Sequence, residues 1–338
     1  MATPVTQTVP SPEIVFATLN AYQRTGALQA AIQLDLFTAI AEGHKTASDL
    51  AAHMKSSEKG TRILCDYLTV IGLLTKSGSE YGLTLDSEVF LNRNSPLCLC
   101  SMAEFMGKIE DISHALTNLA DVVRQGGTAL PGEGTVENDN PIWVSFAHSM
   151  APLMSMPAEF IAKLVEGQPA KVLDIAAGHG LFGIAVARHR PSAHIYAVDW
   201  PAVLAVATEN AVKAGVANRH TTIPGSAFEV EFGEGYDLVL LTNFLHHFNK
   251  PTCETLLKKI HAALKPGGQV ITLEFIPNED RVTPPMHATF SMMMLATTRD
   301  GDAYTFSELE TMFRNAGFAR SEMRELTPLP SRIVLSYK

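Results

Sequence analysis

The sequence predicts an α/β protein, a Rossmann-like doubly wound sheet of seven strands preceded by a mainly helical, winged-helix-like module. Three observations carry that reading. From Lys171 onward, apolar runs at Lys171–Ile175, His194–Val198, His220–Ile223, Asp237–Leu241 and Gln269–Phe275 alternate with helix-like stretches, the signature of a parallel sheet covered on both faces. Two last runs, Ala319–Glu325 and Ile333–Tyr337, are joined by too short a connection for a parallel crossover, so they read as an antiparallel pair at the sheet edge. Upstream, a helix–turn–helix pattern is followed by a hairpin.

Residues 1–10 read as a frayed tail. From Pro12 apolar residues recur at helical spacing (Ile14, Leu19, Tyr22, Ala27, Ala30, Leu34, Phe37) as far as Glu42-Gly43, which stops the run. A helix over Ser48–Met54, a polar break at Lys55–Ser57 and a helix over Glu58–Ile71 come next. The segments Leu73–Lys76 and Tyr81–Thr84 then flank the turn Ser77-Gly78-Ser79 as a hairpin. Residues 86–165 read as mostly helical, with helices at Trp143–Met150 and Pro152–Val165. The glycine-rich stretch Gly126–Asn140 between them is expected to be a mobile loop.

Composition excludes several classes. Of 338 residues, 46% are hydrophobic and 18% charged, and the net charge is −9, which suits a globular core and argues against a nucleic-acid or anionic-membrane surface. The would-be recognition helix sets Lys59 and Arg62 against Glu58 and Asp66, too balanced to neutralise phosphates. No apolar run approaches a membrane span, and no signal peptide is visible. Cys65, Cys98, Cys100 and Cys253 form no CxxC pair and are expected to be reduced thiols of a cytoplasmic protein.

The sharpest local signal is KVLDIAAGHGLFG at Lys171–Gly183. An apolar strand ends in Asp174, and Gly178 and Gly180 then let the backbone turn into a helix, where its N–H groups can approach a ligand. Asp199 ends the next strand, where a carboxylate can accept both hydroxyls of a ribose. Gly178–Gly183 also matches GxGxxG, the dinucleotide fingerprint. Here, however, Asp174 and two alanines separate strand from glycines, and an acid there would repel a pyrophosphate while suiting a cationic amino group. A tight turn, Lys265–Gly268, feeds the fifth strand.

These motifs resemble class I S-adenosylmethionine-dependent methyltransferases. Leu34–Phe37, Phe146–Met150, Gly225–Phe228 and Leu245–Phe248 narrow the resemblance to small-molecule O-methyltransferases of the plant phenolic and acetylserotonin type, bacterial branch. The resemblance implies a dimerisation domain over residues 1–110. A methyltransferase domain would occupy 111–338, with leading helices at 111–165 and the Rossmann-like core at 166–338. It implies S-adenosylmethionine as cofactor, a homodimer, and an aromatic or polyketide-like small molecule as methyl acceptor, with no nucleic-acid or membrane partner. Asp174, Gly178 and Gly180 would line the methionine and ribose portion, Asp199 the ribose hydroxyls and Trp200 the adenine. Ser226 and Phe228 would lie on the adenine's other side, and Asn243 at the fourth strand tip would complete the set. Ala176 stands where the family often has glycine, which is tolerable if φ there stays negative.

A hydroxyl acceptor needs a general base. By position His246, in LTNFLHHF, resembles the family's base, and Glu274 resembles the carboxylate that orients it and fixes its tautomer. His247 stands where an Asp is common; adjacent helical residues diverge, so the two rings should not face one substrate. The family's second such acid aligns with Ala303, one residue from Asp302. Phe146, Met150, Met154, His247, Phe290 and Met294 are expected to wall an apolar acceptor pocket. No histidine recurs at metal-ligand spacing, so no metal is expected. The scaffold also suits methyl transfer to carbon or nitrogen, or cofactor-assisted chemistry without methylation. A ligand-responsive winged-helix regulator is the alternative of a different class.

Overall fold

In a computed structural model the chain forms two compact units, Met1–Lys108 and Ile109–Lys338. The structure describes residues 10–108, 115–327, 329 and 331–338. Residues 1–9 of the tail expected at 1–10, and the expected domain boundary at 110/111, lie outside the described residues.

In the first unit the long helical run divides into helices Glu13–Leu19, Ala21–Gln33 and Leu36–Ala41. The last break falls at Asp35, which adopts a left-handed φ of 58°. Helices Ala47–Met54 and Glu58–Val70 begin at Thr46 and Ser57, whose hydroxyls accept the Asp49 and Gly60 N–H groups, donors that a first helical turn cannot satisfy itself. Strands β1 (Leu74–Ser77) and β2 (Glu80–Leu83) form the expected hairpin. Leu36, Phe37, Leu50, Cys65 and Leu68 meet in a buried core. Of the two cations weighed for phosphate contact, Arg62 is paired with Asp66 at 2.9 Å. Asp66 also takes Lys76 and the Tyr81 hydroxyl. One cysteine expectation is corrected: Cys98 and Cys100, with Cα atoms 5.6 Å apart, are joined as a disulfide, whereas Cys65 and Cys253 are free and buried.

The second unit holds seven strands: β3 (Lys171–Ile175), β4 (His194–Asp199), β5 (His220–Pro224), β6 (Tyr236–Thr242), β7 (Leu264–Glu274), β8 (Arg320–Glu325) and β9 (Arg332–Tyr337). Their order is β5-β4-β3-β6-β7-β9-β8. β3 to β7 run parallel, and β9 pairs antiparallel with both β7 and β8. Alternation along the strands sends Leu173, Ile175, Val239 and Leu241 to one core and Val172, Leu238, Leu240 and Ile271 to the other, as a sheet covered on both faces requires. The chain leaves β3 toward β4 on one side and returns to β6 on the other, so a crevice opens at the carboxyl ends of β3 and β6.

Two further expectations change. Residues Ile142–Leu164 form one continuous helix with Pro152 and Pro157 inside it, not two helices. Each proline removes a single backbone donor, and the buried stripe Ala147, Met150, Ala158, Ile161 and Ala162 keeps the helix on course. The stretch Gly126–Asn140, expected to be mobile, is pinned by hydrogen bonds to Thr297 and Thr298. Among the described residues no helix is long and apolar enough to cross a membrane.

Candidate active site

The loop after β3 is organised by two buried acids. Asp174 is fully buried; its Oδ2 accepts the Gly183 N–H at 3.0 Å, and its Oδ1 has no partner. A Cβ on Gly183 would fall 2.7 Å from that carboxylate, so only glycine lets strand and helix meet there. Asp199 accepts the N–H groups of Gly178 (2.8 Å) and Trp200 (2.7 Å). Gly180 turns the chain at φ 73° into helix Leu181–His189, close against Ala207. The condition set for Ala176 fails: its φ is +52°, a left-handed conformation that an L side chain adopts at a cost of roughly 1–2 kcal/mol.

Burial pushes the Asp174 carboxyl up to about 8, aided by the charge of Asp199, and burial raises Asp199 to about 6. Neither acid has an ion pair among the described residues. In the same loop, burial pushes His179 down to about 4, so it is neutral.

The flanks are firm. Trp200 caps helix Pro201–Lys213 and packs with Ala147, Val203 and Val206. Ser226 accepts the Phe228 N–H at 3.3 Å, and the Gly225 N–H reaches the Asp199 carbonyl at 2.9 Å. Lys259 donates to the Ala227 and Val230 carbonyls at 3.0 and 2.6 Å, pinning this turn to helix Lys250–Ala263. Asn243 holds a left-handed φ of 52°; its N–H binds the Leu273 carbonyl at 2.7 Å and its amide touches the Met154 sulfur at 3.8 Å.

Beyond Asn243, a single 3-10 turn, Leu245–His247, carries both histidines. Glu274, at the end of β7 and 5% exposed, holds this turn three times. One oxygen accepts the N–H groups of Phe244 (2.9 Å) and Leu245 (2.7 Å), and the other meets His246 Nδ1 at 2.5 Å. The outer side is equally tied: the Asp302 N–H binds the His246 carbonyl at 3.0 Å, the Cys253 thiol donates to the Leu245 carbonyl at 3.3 Å, and the Tyr304 hydroxyl donates to the Phe248 carbonyl at 2.5 Å.

Around His246 the rings form a belt. Phe290 presents itself edge-on at 4.9 Å and is stacked on Phe275 at 3.8 Å. The expected divergence of the two histidines does not occur, because the tight turn packs their rings 4.3 Å apart. His247 in turn meets Trp143 at 5.4 Å, and Trp143 meets Phe146 at 5.3 Å. Burial, then the neighbouring His246, holds His247 well below the usual histidine range, and its Nδ1 has no partner. Met150 and Met294 are buried, 8% and 4% exposed. Asp302 is turned away from His246: its carboxylate takes its own loop's Ala303 N–H and Arg281. Ala303 is fully buried, and Glu274 is the acid that meets the His246 ring among the described residues.

The sequence reading missed Trp143, Tyr304 and Lys259. Each acts on the site from a segment remote in the chain, and only the rarity of tryptophan could have flagged the first. Among the described residues no group of three His, Cys, Asp or Glu side chains could hold a metal ion.

A doubly wound sheet with paired acids on its first two strand tips and a histidine–carboxylate pair across the crevice defines a nucleoside-cofactor transferase of the class I methyltransferase type. The chain belongs to the O-methyltransferase family, whose members draw the methyl group from S-adenosylmethionine: residues 111–319 match the O-methyltransferase domain and residues 16–93 the O-methyltransferase dimerisation domain. It is 26% identical over 301 residues to 3-hydroxy-5-methyl-1-naphthoate 3-O-methyltransferase of Streptomyces sahachiroi, spanning 87% of this chain and 86% of that one. Acetylserotonin O-methyltransferase of Mus musculus is 26% identical over 325 residues, spanning 90% and 83%. A crystal structure of a protein assigned as an O-methyltransferase from Nostoc punctiforme is 52% identical, with a TM-score of 0.95 over 98% of this chain and 100% of that one.

The residues present fit the cofactor. Among the described residues Asp174 and Asp199 are buried acids without a cation, one with an unpartnered oxygen. S-adenosylmethionine bears an amino group and a sulfonium that offset such charges.

Proposed function

We propose that this enzyme methylates a hydroxyl of a planar aromatic or polyketide-like small molecule, with His246 as general base and Glu274 as its positioning residue. Asp174, Gly178, Gly180, Asp199, Trp200, Ser226, Phe228 and Asn243 would hold the cofactor, which when bound supplies an electrophilic methyl group. The observation that carries this reading is the Glu274–His246 Nδ1 contact at 2.5 Å. A neutral imidazole donating from Nδ1 to a carboxylate keeps the lone pair on Nε2. That nitrogen takes the acceptor's hydroxyl proton as the oxygen attacks in line. The positive charge then formed on the ring lies against the Glu274 carboxylate, and the Phe244 and Leu245 N–H groups hold that carboxylate in place.

The aromatic belt from Phe146 through Trp143 and His247 to Phe290 supports a flat acceptor. The relatives' names agree: a hydroxynaphthoate and acetylserotonin are the acceptors named for two of them, and a third, from Streptomyces glaucescens, is named for tetracenomycin polyketide synthesis. We further infer a homodimer assembled through the N-terminal domain, residues 1–110, for which the dimerisation-domain match is the support.

The test is methyl transfer from S-adenosylmethionine to a panel of hydroxynaphthoates, hydroxyindoles and simple phenols, read by product mass. Wild type should methylate at least one phenolic hydroxyl. H246Q should lose roughly 100- to 10,000-fold in kcat on that acceptor, the usual worth of a general base. Undiminished turnover by H246Q would remove His246 from the mechanism.

A further inference from the structure

The glycine-rich segment Gly126–Asn140 takes no part in the cofactor loop or in the base pair, yet it is built into the protein by buried threonines. Thr128 and Thr135 are 8% and 9% exposed. The Thr128 hydroxyl donates to the Ala296 carbonyl at 2.7 Å, and its N–H donates to the Thr298 carbonyl at 2.9 Å. The Thr135 N–H and hydroxyl both donate to the Thr297 carbonyl, at 2.9 and 3.1 Å. Gly134 bridges to Thr298, and a Cβ there would run into the Thr297 carbonyl. The acceptors are the final carbonyls of helix Phe290–Thr297 and its cap, groups that a helix end leaves without intrahelical partners. The strap therefore supplies donors that this helix end lacks.

That same helix and the loop after it hold His246 from two sides. From the first turn of the helix, Phe290 lies edge-on to the His246 ring at 4.9 Å. From the other end, the Thr298 hydroxyl, which donates to the Met294 carbonyl, accepts the Gly301 N–H at 3.0 Å. The next residue's N–H, that of Asp302, donates to the His246 carbonyl at 3.0 Å. Gly301 sits so close to that carbonyl that a Cβ would collide with it. Residues 290–302 thus form one unit touching both ring and backbone of His246, and Thr128 and Thr135 fasten its middle.

We propose that Thr128 and Thr135 are positioning residues for His246, acting through the 290–302 unit. This rests on the reading of His246 as the base, and the experiment separates the two. The variant T128V/T135V keeps side-chain volume and both backbone N–H groups but deletes the two hydroxyl donors. The deciding readout is NMR of the histidine-labelled protein in complex with S-adenosylhomocysteine. It follows the downfield His246 Nδ1 proton bonded to Glu274, assigned by its absence in H246Q. The double variant should move or broaden that resonance and lower kcat about tenfold, the scale of a sub-ångström misplacement. S-adenosylhomocysteine affinity should stay within about twofold, because the strap touches none of the cofactor groups, and T128S/T135S should restore the resonance.

A wild-type resonance in the double variant would overturn the proposal. So would a loss of kcat that leaves the resonance unmoved, since that is a general weakening of the fold. Should the double variant not fold, T135V alone, which keeps the Thr135 N–H bond, gives the same two readings. If H246Q keeps full turnover, the base reading fails, and that failure is independent of any strap result.

Discussion

The two lips of the crevice are built on opposite plans. On the cofactor side, residues 174–200 form one continuous stretch of chain, and the polar groups are under-supplied: among the described residues Asp174 has an oxygen without a partner, and neither acid has a cation. On the base side, residues 244–248 are held by Glu274, by Cys253 and by the loop that carries Asp302 and Tyr304, three separate places in the chain, and the turn's main bonds are already made. The first lip gains from a charged ligand what the protein itself does not provide. The second has its turn and its His246–Glu274 pair fixed by the protein itself, with only the His247 Nδ1 left unpartnered among its described buried side-chain atoms, as suits the proposed base, whose geometry must be correct at the moment of proton transfer.

The largest effect expected from breaking this contrast lies at Glu274. In E274Q the shape survives and the amide oxygen can still accept the Phe244 and Leu245 N–H groups. The amide nitrogen, however, would donate to His246 Nδ1 and move the ring proton to Nε2, where it blocks the base. We expect kcat to fall about 100- to 10,000-fold with cofactor affinity unchanged by calorimetry. A loss of cofactor affinity would mean that the two lips are one unit.

Next in size is G180A, which forces a side chain to φ 73° beside Ala207. It should lose about 1–3 kcal/mol from stability or cofactor binding combined, read by thermal unfolding with and without S-adenosylhomocysteine. Wild-type values in both would show that the loop relaxes freely.

The unpaired acids make a pH prediction with a definite sign. An unfolded chain ionises its aspartates near pH 4, whereas burial raises Asp174 to about 8 and Asp199 to about 6. Between those values the ligand-free native state binds more protons than the unfolded one, so its stability should fall as pH rises through about 4 to 8. S-adenosylmethionine, whose sulfonium stays cationic, prefers the ionised acids, so its affinity should climb over the upper part of that window, about pH 6 to 8. D174N should flatten the climb. Titration calorimetry across the range decides it, and a pH-independent affinity in wild type would refute the coupling.

The smallest effect belongs to A176G. It relieves a left-handed alanine but loosens the unfolded chain, and the two nearly cancel. A net gain of about 0.5 kcal/mol is expected, visible as a modest rise in melting temperature. Destabilisation instead would mean that the Ala176 methyl packs usefully.

Much of the cofactor lip was legible in the sequence because its physics is local. An acid at a strand tip, glycines at fixed offsets and a second acid one strand later all lie within a short span, and the chain has little choice about where they go. The strand directions followed from the same rules: alternating apolar runs impose parallel crossovers, and a short final connection imposes an antiparallel edge. His246 and Glu274 were named through the family resemblance, and β6 and β7, neighbouring parallel strands, bring the two together.

What local reasoning could not reach depends on tertiary contacts. The sign of φ at Ala176 is set by closing the loop over β4, because the Ala177 N–H reaches the Val198 carbonyl at 3.1 Å. Whether Asp302 faces the base was decided by Arg281, which draws its carboxylate off to the surface. The segment Gly126–Asn140 has the composition of a mobile loop and becomes a fixed strap, because its donors find the unfilled carbonyls of a helix end more than 150 residues further along the chain. The sequence by itself determined which residues could form strands, turns and charged tips, because those preferences are properties of a few adjacent residues. Only the tertiary structure decided which of those groups are left unpaired for a ligand and which are satisfied beforehand, because a hydrogen bond between distant segments has no signature in either one alone.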